Sequence, residues 1–324
     1  MDIRSNILYK RRYIYFDHWL FAGGNQPALY NSQSRRRLYG IILSVWFYTA
    51  TFLVIAFFVK TIENISILAP FIPIMSGSYW FITTYLLLMI VEPILVLVIK
   101  SDWFDKIYAS LLIVFCILPT LIPFAGLDLK PSGANLLWFS VLYLSGYALR
   151  DINLNKGKAF ILFCLSIIVP FGVKIAVKGI FGRDQGGAVF YHHNSFFIFF
   201  AACSLLLVFK NMEIKSEFVR KSVYTISGAC VGVYLIHENT YVRKWIWEYA
   251  DNWIDYSAYY FPVRAILFVT FVFTICIIFD IVRKKLFGIL CVKHLEEHID
   301  KILLTRTSRN QNFAKMRKIS LLSA

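Results

Sequence analysis

One apolar stretch of this chain ends on His237 and Glu238, in the string GVYLIHENTYVRKW. An imidazole beside a carboxylate can move a proton near neutral pH, so His237 is a candidate general base for a hydroxyl substrate. It could equally be a cap at a membrane–water boundary. Glu92 is the second candidate, in the apolar run TTYLLLMIVEPILVLVI. An ionisable group at bilayer depth costs several kcal/mol and is kept where it pairs or functions. Glu92 stands thirteen residues past Tyr79, which at ~1.5 Å per residue puts it ~20 Å deep. Pro93 removes the next backbone donor and opens a polar niche beside the carboxylate. Chemistry and an ion pair with a neighbouring helix are both open readings of Glu92.

Four further residues suit substrate binding. Glu238 accompanies His237. Arg264 lies about a turn and a half inside the last apolar stretch, where it either snorkels to the interface or anchors an anionic substrate. Trp80 belongs to an aromatic rim with Tyr79, Trp245, Trp247 and Trp253, a set that serves as an interfacial belt or as a stacking face for sugars. Asn194 closes the polar string Tyr191, His192, His193, Asn194, whose default reading is a solvated loop. Adjacent histidines make a poor metal pair without a third ligand. The six cysteines form no C-x-x-C pair, so no metal site is expected. No P-loop, dinucleotide fingerprint, G-x-S-x-G elbow or H-E-x-x-H occurs, which removes ATP-driven, NAD-linked and zincin chemistry.

The elements that position these groups follow from composition. Of 324 residues 58% are hydrophobic and 16% charged, against ~25% charged in soluble domains. Apolar runs near the ~20 residues that cross a bilayer fall at about 38–59, 79–99, 107–126, 134–149, 159–177, 195–209, 222–237 and 259–282. The expected fold is an all-α, polytopic integral membrane bundle of about eight transmembrane helices. The net charge of +15 is concentrated before residue 38, in alternate loops and after residue 282. That bias places both termini of a multi-pass protein in the cytoplasm and explains the basic residues without nucleic acid. No cleavable signal peptide is expected, since Asp17 and His18 interrupt the first apolar stretch. Residues 1–37 read as a basic cytoplasmic segment, 38–288 as the membrane domain and 289–324 as an amphipathic or basic cytoplasmic tail.

Four strings in order carry a resemblance. PFIPIMSGSYWFITTYLLLMIVEPILVLVI at 70–99, NLLWFSVLYLSGYALR at 135–150, NSFFIFFAACSLLLVFKNMEIKS at 194–216 and SGACVGVYLIHENTYVRKWIW at 227–247 are similar to segments of the acyltransferase 3 family. The resemblance spans roughly residues 38–287. It implies a polytopic membrane enzyme that moves an acyl group, commonly acetyl from acetyl-CoA, onto a hydroxyl of a cell-surface polysaccharide or its precursor. Its partners would be the lipid bilayer, acyl-CoA and a saccharide acceptor, with no bound cofactor. Acyl transfer needs a base for the hydroxyl and donors for the oxyanion, which the candidate residues can supply.

One departure stands out. The family's most diagnostic motif is an Arg and a His with ten residues between them in the first helix. Here Arg4 and His18 have thirteen between them, and residues 5–17 are too polar to span. The motif is therefore carried onto no residue of this chain, and eight spans fit a member lacking one helical hairpin. The alternative reading is a non-catalytic membrane protein of polysaccharide assembly or export, a truncated acyltransferase remnant. Reporter fusions test the topology: positions near 102, 153 and 216 should report cytoplasmic, and 128, 184 and 250 the opposite side. A cytoplasmic signal at 184 or 250 would reject the eight-span arrangement.

Overall fold

The computed structural model describes residues 32–58, 79–121, 136–181, 188–210, 212–254 and 259–289. Among these every long element is a helix and none is a strand, as expected of a chain of mean hydropathy +0.62 whose backbone must be satisfied without water. In order they are α1 (Ser32–Phe58), α2 (Trp80–Ile99), α3 (Phe104–Leu121), α4 (Leu136–Leu149), α5 (Lys156–Phe181), α6 (Phe196–Lys210), α7 (Glu217–His237), α8 (Thr240–Trp253) and α9 (Phe261–Ile289). Among the described residues, each of the eight apolar runs coincides largely with a helix. Five helices, α1, α2, α3, α5 and α9, contain a stretch long and apolar enough to cross a membrane. With 14 and 15 residues, α4 and α6 are shorter: at ~1.5 Å per residue neither alone covers the ~30 Å hydrocarbon layer. In α7 the first turns carry Glu217, Arg220 and Lys221.

The stretch around residue 250, expected as an outer loop, is the helix α8. It begins where Asn239 Oδ1 accepts the Tyr241 N–H at 3.1 Å, an N-cap bond. Tyr241 and Ala250 face inward while Arg243, Lys244, Trp247 and Glu248 are exposed. Such a helix contains no unbroken apolar run, so a search for runs passes over it. The segment before Ser32, the tail beyond Ile289, and the loops around 128 and 184 lie outside the described residues.

The chain divides into two units. One comprises Phe81–Lys215. Its core joins Cys116, Trp138, Val141 and Phe199, with the Trp138 and Phe199 rings edge-to-face at 5.8 Å. Helix α3 passes through a π-helical turn at Ile113–Ile117. Pro119 has no N–H to offer the carbonyl four residues back, that of Phe115, and widening the turn relieves the clash. Asn194 Nδ2 donates to the Phe115 carbonyl at 3.3 Å, and Thr120 Oγ1 accepts the Phe196 N–H at 2.8 Å, so α6 starts against the widened turn. At the other end of α6, Lys210 Nζ donates to the carbonyls of Leu149, Arg150 and Ile152. These carbonyls lie at the C-terminal end of α4, where a cation is favoured.

The other unit combines α1 and Tyr79 with α7, α8 and α9. It is organised around Asp280 of α9, which is 0% exposed. Asp280 Oδ1 accepts from Tyr48 Oη of α1 at 2.9 Å and from Arg283 Nε at 2.9 Å, and Arg283 Nη2 lies 2.8 Å from the same oxygen. Lys284 Nζ lies 2.8 Å from Oδ2. Arg283 Nη1 donates to Ser44 Oγ at 2.8 Å, and Ser44 passes its own proton to the Gly40 carbonyl at 2.6 Å. The guanidinium lies over the Phe287 ring, 4.9 Å from its centre. Helix α7 presses on this group at Gly232, where an added Cβ would overlap the Asp280 carboxylate and lie 2.7 Å from its Cβ.

Gly232→Ala should therefore push α7 off α9 or expel the Asp280 carboxylate from its pairs. The expected loss is on the order of 3 kcal/mol, the scale of breaking a buried ion pair, read as a lower melting temperature of the detergent-solubilised chain. Gly172→Ala, where a Cβ meets nothing within 4 Å, should leave it unchanged or slightly raised.

Candidate functional site

His237 occupies the last turn of α7. Its Nδ1 lies 2.8 Å from the Val233 carbonyl. A carbonyl only accepts, so Nδ1 carries the hydrogen and Nε2 holds the basic lone pair. Nε2 stands 3.6 Å from Glu238 Oε1, and Arg243 Nη1 donates to Glu238 Oε2 at 3.2 Å. The imidazole side chain is 40% exposed and the carboxylate 19%, so the ring is partly open to its surroundings with the carboxylate beside Nε2. Tyr234 packs edge-on to the His237 ring at 5.8 Å and lies 6.3 Å from the Tyr79 ring. Tyr79 Oη in turn accepts from Asn239 Nδ2 at 2.8 Å. The helix turns at this point because Glu238 closes α7 and Asn239, in extended conformation, opens α8.

This arrangement suits proton transfer. The backbone carbonyl fixes the tautomer and the ring's direction, Nε2 can take a proton from a hydroxyl, and Glu238 stands where an imidazolium would need an anion. His237 and Glu238, paired in the sequence reading, are thus adjacent in space as well.

Arg264 belongs to the same unit. Its Nη1 donates to the carbonyl of Trp253, the last residue of α8, at 3.2 Å, and its guanidinium lies 4.6 Å from the Tyr260 ring centre. It closes the C-terminal end of α8, where a cation meets orphan carbonyls. Trp80 opens α2 and is partly exposed.

Glu92 and Asn194 belong to the other unit. Glu92, buried in α2, accepts from Tyr143 Oη of α4 at 3.0 Å. Pro93 follows it inside the helix. Asn194, expected in a solvated loop, is buried and holds the π turn of α3 through Phe115. The two residues meet different partners, and the structure does not join them into one constellation.

The sequence reading missed the Asp280–Arg283–Lys284 group. It counted Arg283 and Lys284 among the cytoplasmic bases after residue 282, whereas α9 runs on to Ile289 and buries Arg283. The available signal was the spacing itself, since residues three and four after Asp280 share its helix face. Tyr143 and Tyr79, as hydrogen-bond partners of Glu92 and Asn239, had no comparable signal.

Comparison of the chain with curated proteins and with solved structures gives no match in either case. A sequence model described as an acyltransferase domain matches residues 19–283. That range holds every helix described above except the end of α9, together with His237, Glu238, Glu92, Trp80, Asn194 and Arg264. With most of its length covered by the family's domain, the chain belongs to the acyltransferase 3 family.

Proposed function

We propose that this multi-pass membrane protein is an O-acyltransferase that carries acetyl from acetyl-CoA to a hydroxyl of a cell-surface polysaccharide or its precursor in a bacterial inner membrane. Family membership supports the reaction class. The observation that carries the mechanism is His237, partly exposed, with Nδ1 anchored on Val233 and Nε2 beside Glu238. In the proposed step Nε2 takes the proton of the acceptor hydroxyl as its oxygen bonds to the thioester carbonyl carbon. The carbon–sulfur bond then breaks, and the proton returns to the departing CoA sulfur.

The loop charges support eight crossings with both termini in the cytoplasm. On that topology His237 lies at the outer face, where a surface saccharide approaches. Glu92 lies past the midplane, on the side from which acyl-CoA enters. Glu238 and Arg264, with the aromatic surface of Trp80, are proposed to border the acceptor, and Asn194 to line the path within its own unit.

Complementation of surface O-acetylation tests this. His237→Ala should lower the signal at least a hundredfold, the scale of losing a general base, and Glu92→Gln should abolish it. Membrane abundance of both variants should stay normal. A parallel fall in abundance would assign both residues to structure.

A further inference from the structure

The buried polar groups where α7 turns into α8 are answered by their neighbours, with one exception. Asn239 donates its amide N–H to Tyr79 Oη and accepts the Tyr241 N–H on its amide oxygen. Tyr79 is also hydrogen-bonded with Thr49. The hydroxyl of Tyr241 has no hydrogen-bond partner among the described residues, although its side chain is only 6% exposed. Its position is set by the Asn239 cap, and its phenol lies near enough to that of Tyr79 for the two to interact electrostatically. Burial pushes the Tyr241 phenol above its ordinary range, so it stays protonated and able to donate.

An enclosed hydroxyl without a partner has lost its hydrogen bonds to water and gained none, so in the free protein phenylalanine would serve better at this position. The hydroxyl becomes favourable when something supplies an acceptor or donor for it. The groups gathered here, Tyr79, Tyr234, Asn239 and Tyr241, are uncharged, and the neighbouring Glu238 carboxylate is already paired with Arg243. A metal ion would want carboxylates and a phosphate would want arginine. Neutral phenol and amide groups with ring faces suit a neutral, hydroxylated ring compound. His237 borders the group through Tyr234.

We infer that Tyr241 is an acceptor-binding residue whose hydroxyl bonds a sugar hydroxyl of the saccharide, making the Tyr79–Asn239–Tyr241 corner a subsite next to the base. The inference rests on the acyl-transfer reading for the identity of the ligand. Because the hydroxyl is enclosed, the sugar reaches it by displacing the side chains lying over it. A group lacking a hydroxyl cannot compensate the exposed phenol and is rejected.

The test compares the full-length wild type with Tyr241→Phe, which removes one oxygen and nothing else, both purified in detergent. The probe is the surface polysaccharide of the organism carrying the gene, chemically stripped of acetyl groups. Binding is read by calorimetry, transfer by label from acetyl-CoA, and stability by thermal unfolding. Tyr241→Phe should weaken polysaccharide binding about tenfold, the scale of one hydrogen bond. KM for acetyl-CoA should be unchanged and the melting temperature equal or higher. Equal polysaccharide affinity in both proteins, a melting temperature several degrees lower in the variant, or no binding by wild type would each overturn the inference. Tyr241-dependent binding without acetyl transfer would sustain the subsite and reject the acyltransferase reading. Transfer by wild type that Tyr241→Phe leaves intact would reject the subsite alone.

Discussion

Inside a membrane bundle no bulk water is at hand to satisfy a polar group, so each buried donor, acceptor and charge needs an answer from the chain itself. Asp280 shows how much structure this demands. Its carboxylate requires Tyr48 from α1 and Arg283 and Lys284 from the next turn of its own helix, and Arg283 requires Ser44 in turn. Gly232 of α7 has to lack a side chain so that the group can sit between the helices. Three helices of one unit are thereby registered by one acid. The arrangement is sensitive to the loss of any member, since a buried charge stripped of its partner costs far more than the pair contributes.

The same requirement shapes the unit of Phe81–Lys215 through backbone instead of charge. Pro119 breaks the ladder of α3, the turn widens, and Asn194 bonds the carbonyl of Phe115. Lys210 gathers carbonyls at the C-terminal end of α4 and just beyond it. Glu92, the deepest acid of α2, is met by a phenol of α4. A hydrogen bond from a neutral hydroxyl satisfies a carboxylate oxygen without cancelling its charge.

At the corner of α7 and α8 the accounting is left open on both sides. His237 has one nitrogen committed to Val233 and the other beside Glu238 on a partly exposed ring, and Tyr241 has a hydroxyl with no partner among the described residues. Sites that bind and react require groups whose hydrogen bonds are completed by a ligand, so departures from full satisfaction are where function is expected. The surrounding frame, with its capped helix start and its Asn239–Tyr79 bond, holds these open groups in place.

Composition and apolar run lengths were enough to place this chain in a membrane and to locate eight of its helices, because a bilayer imposes a length and a hydropathy that local sequence must meet. The four strings resembling the acyltransferase 3 family, and the adjacency of His237 to Glu238, were equally local. Helix α8 escaped because amphipathic periodicity does not form a run. Tyr48, Tyr143 and Phe115, the partners of Asp280, Glu92 and Asn194 on other helices, escaped for a different reason: they are distant in sequence, 51 residues for Tyr143 and 232 for Tyr48. Which helix face meets which is decided by packing, where close approach at a glycine or a freed carbonyl selects one neighbour among many. Sequence therefore determined what the chain is made of and where it resides. Only the tertiary structure decided which polar groups are answered and which, like the Tyr241 hydroxyl, are left open.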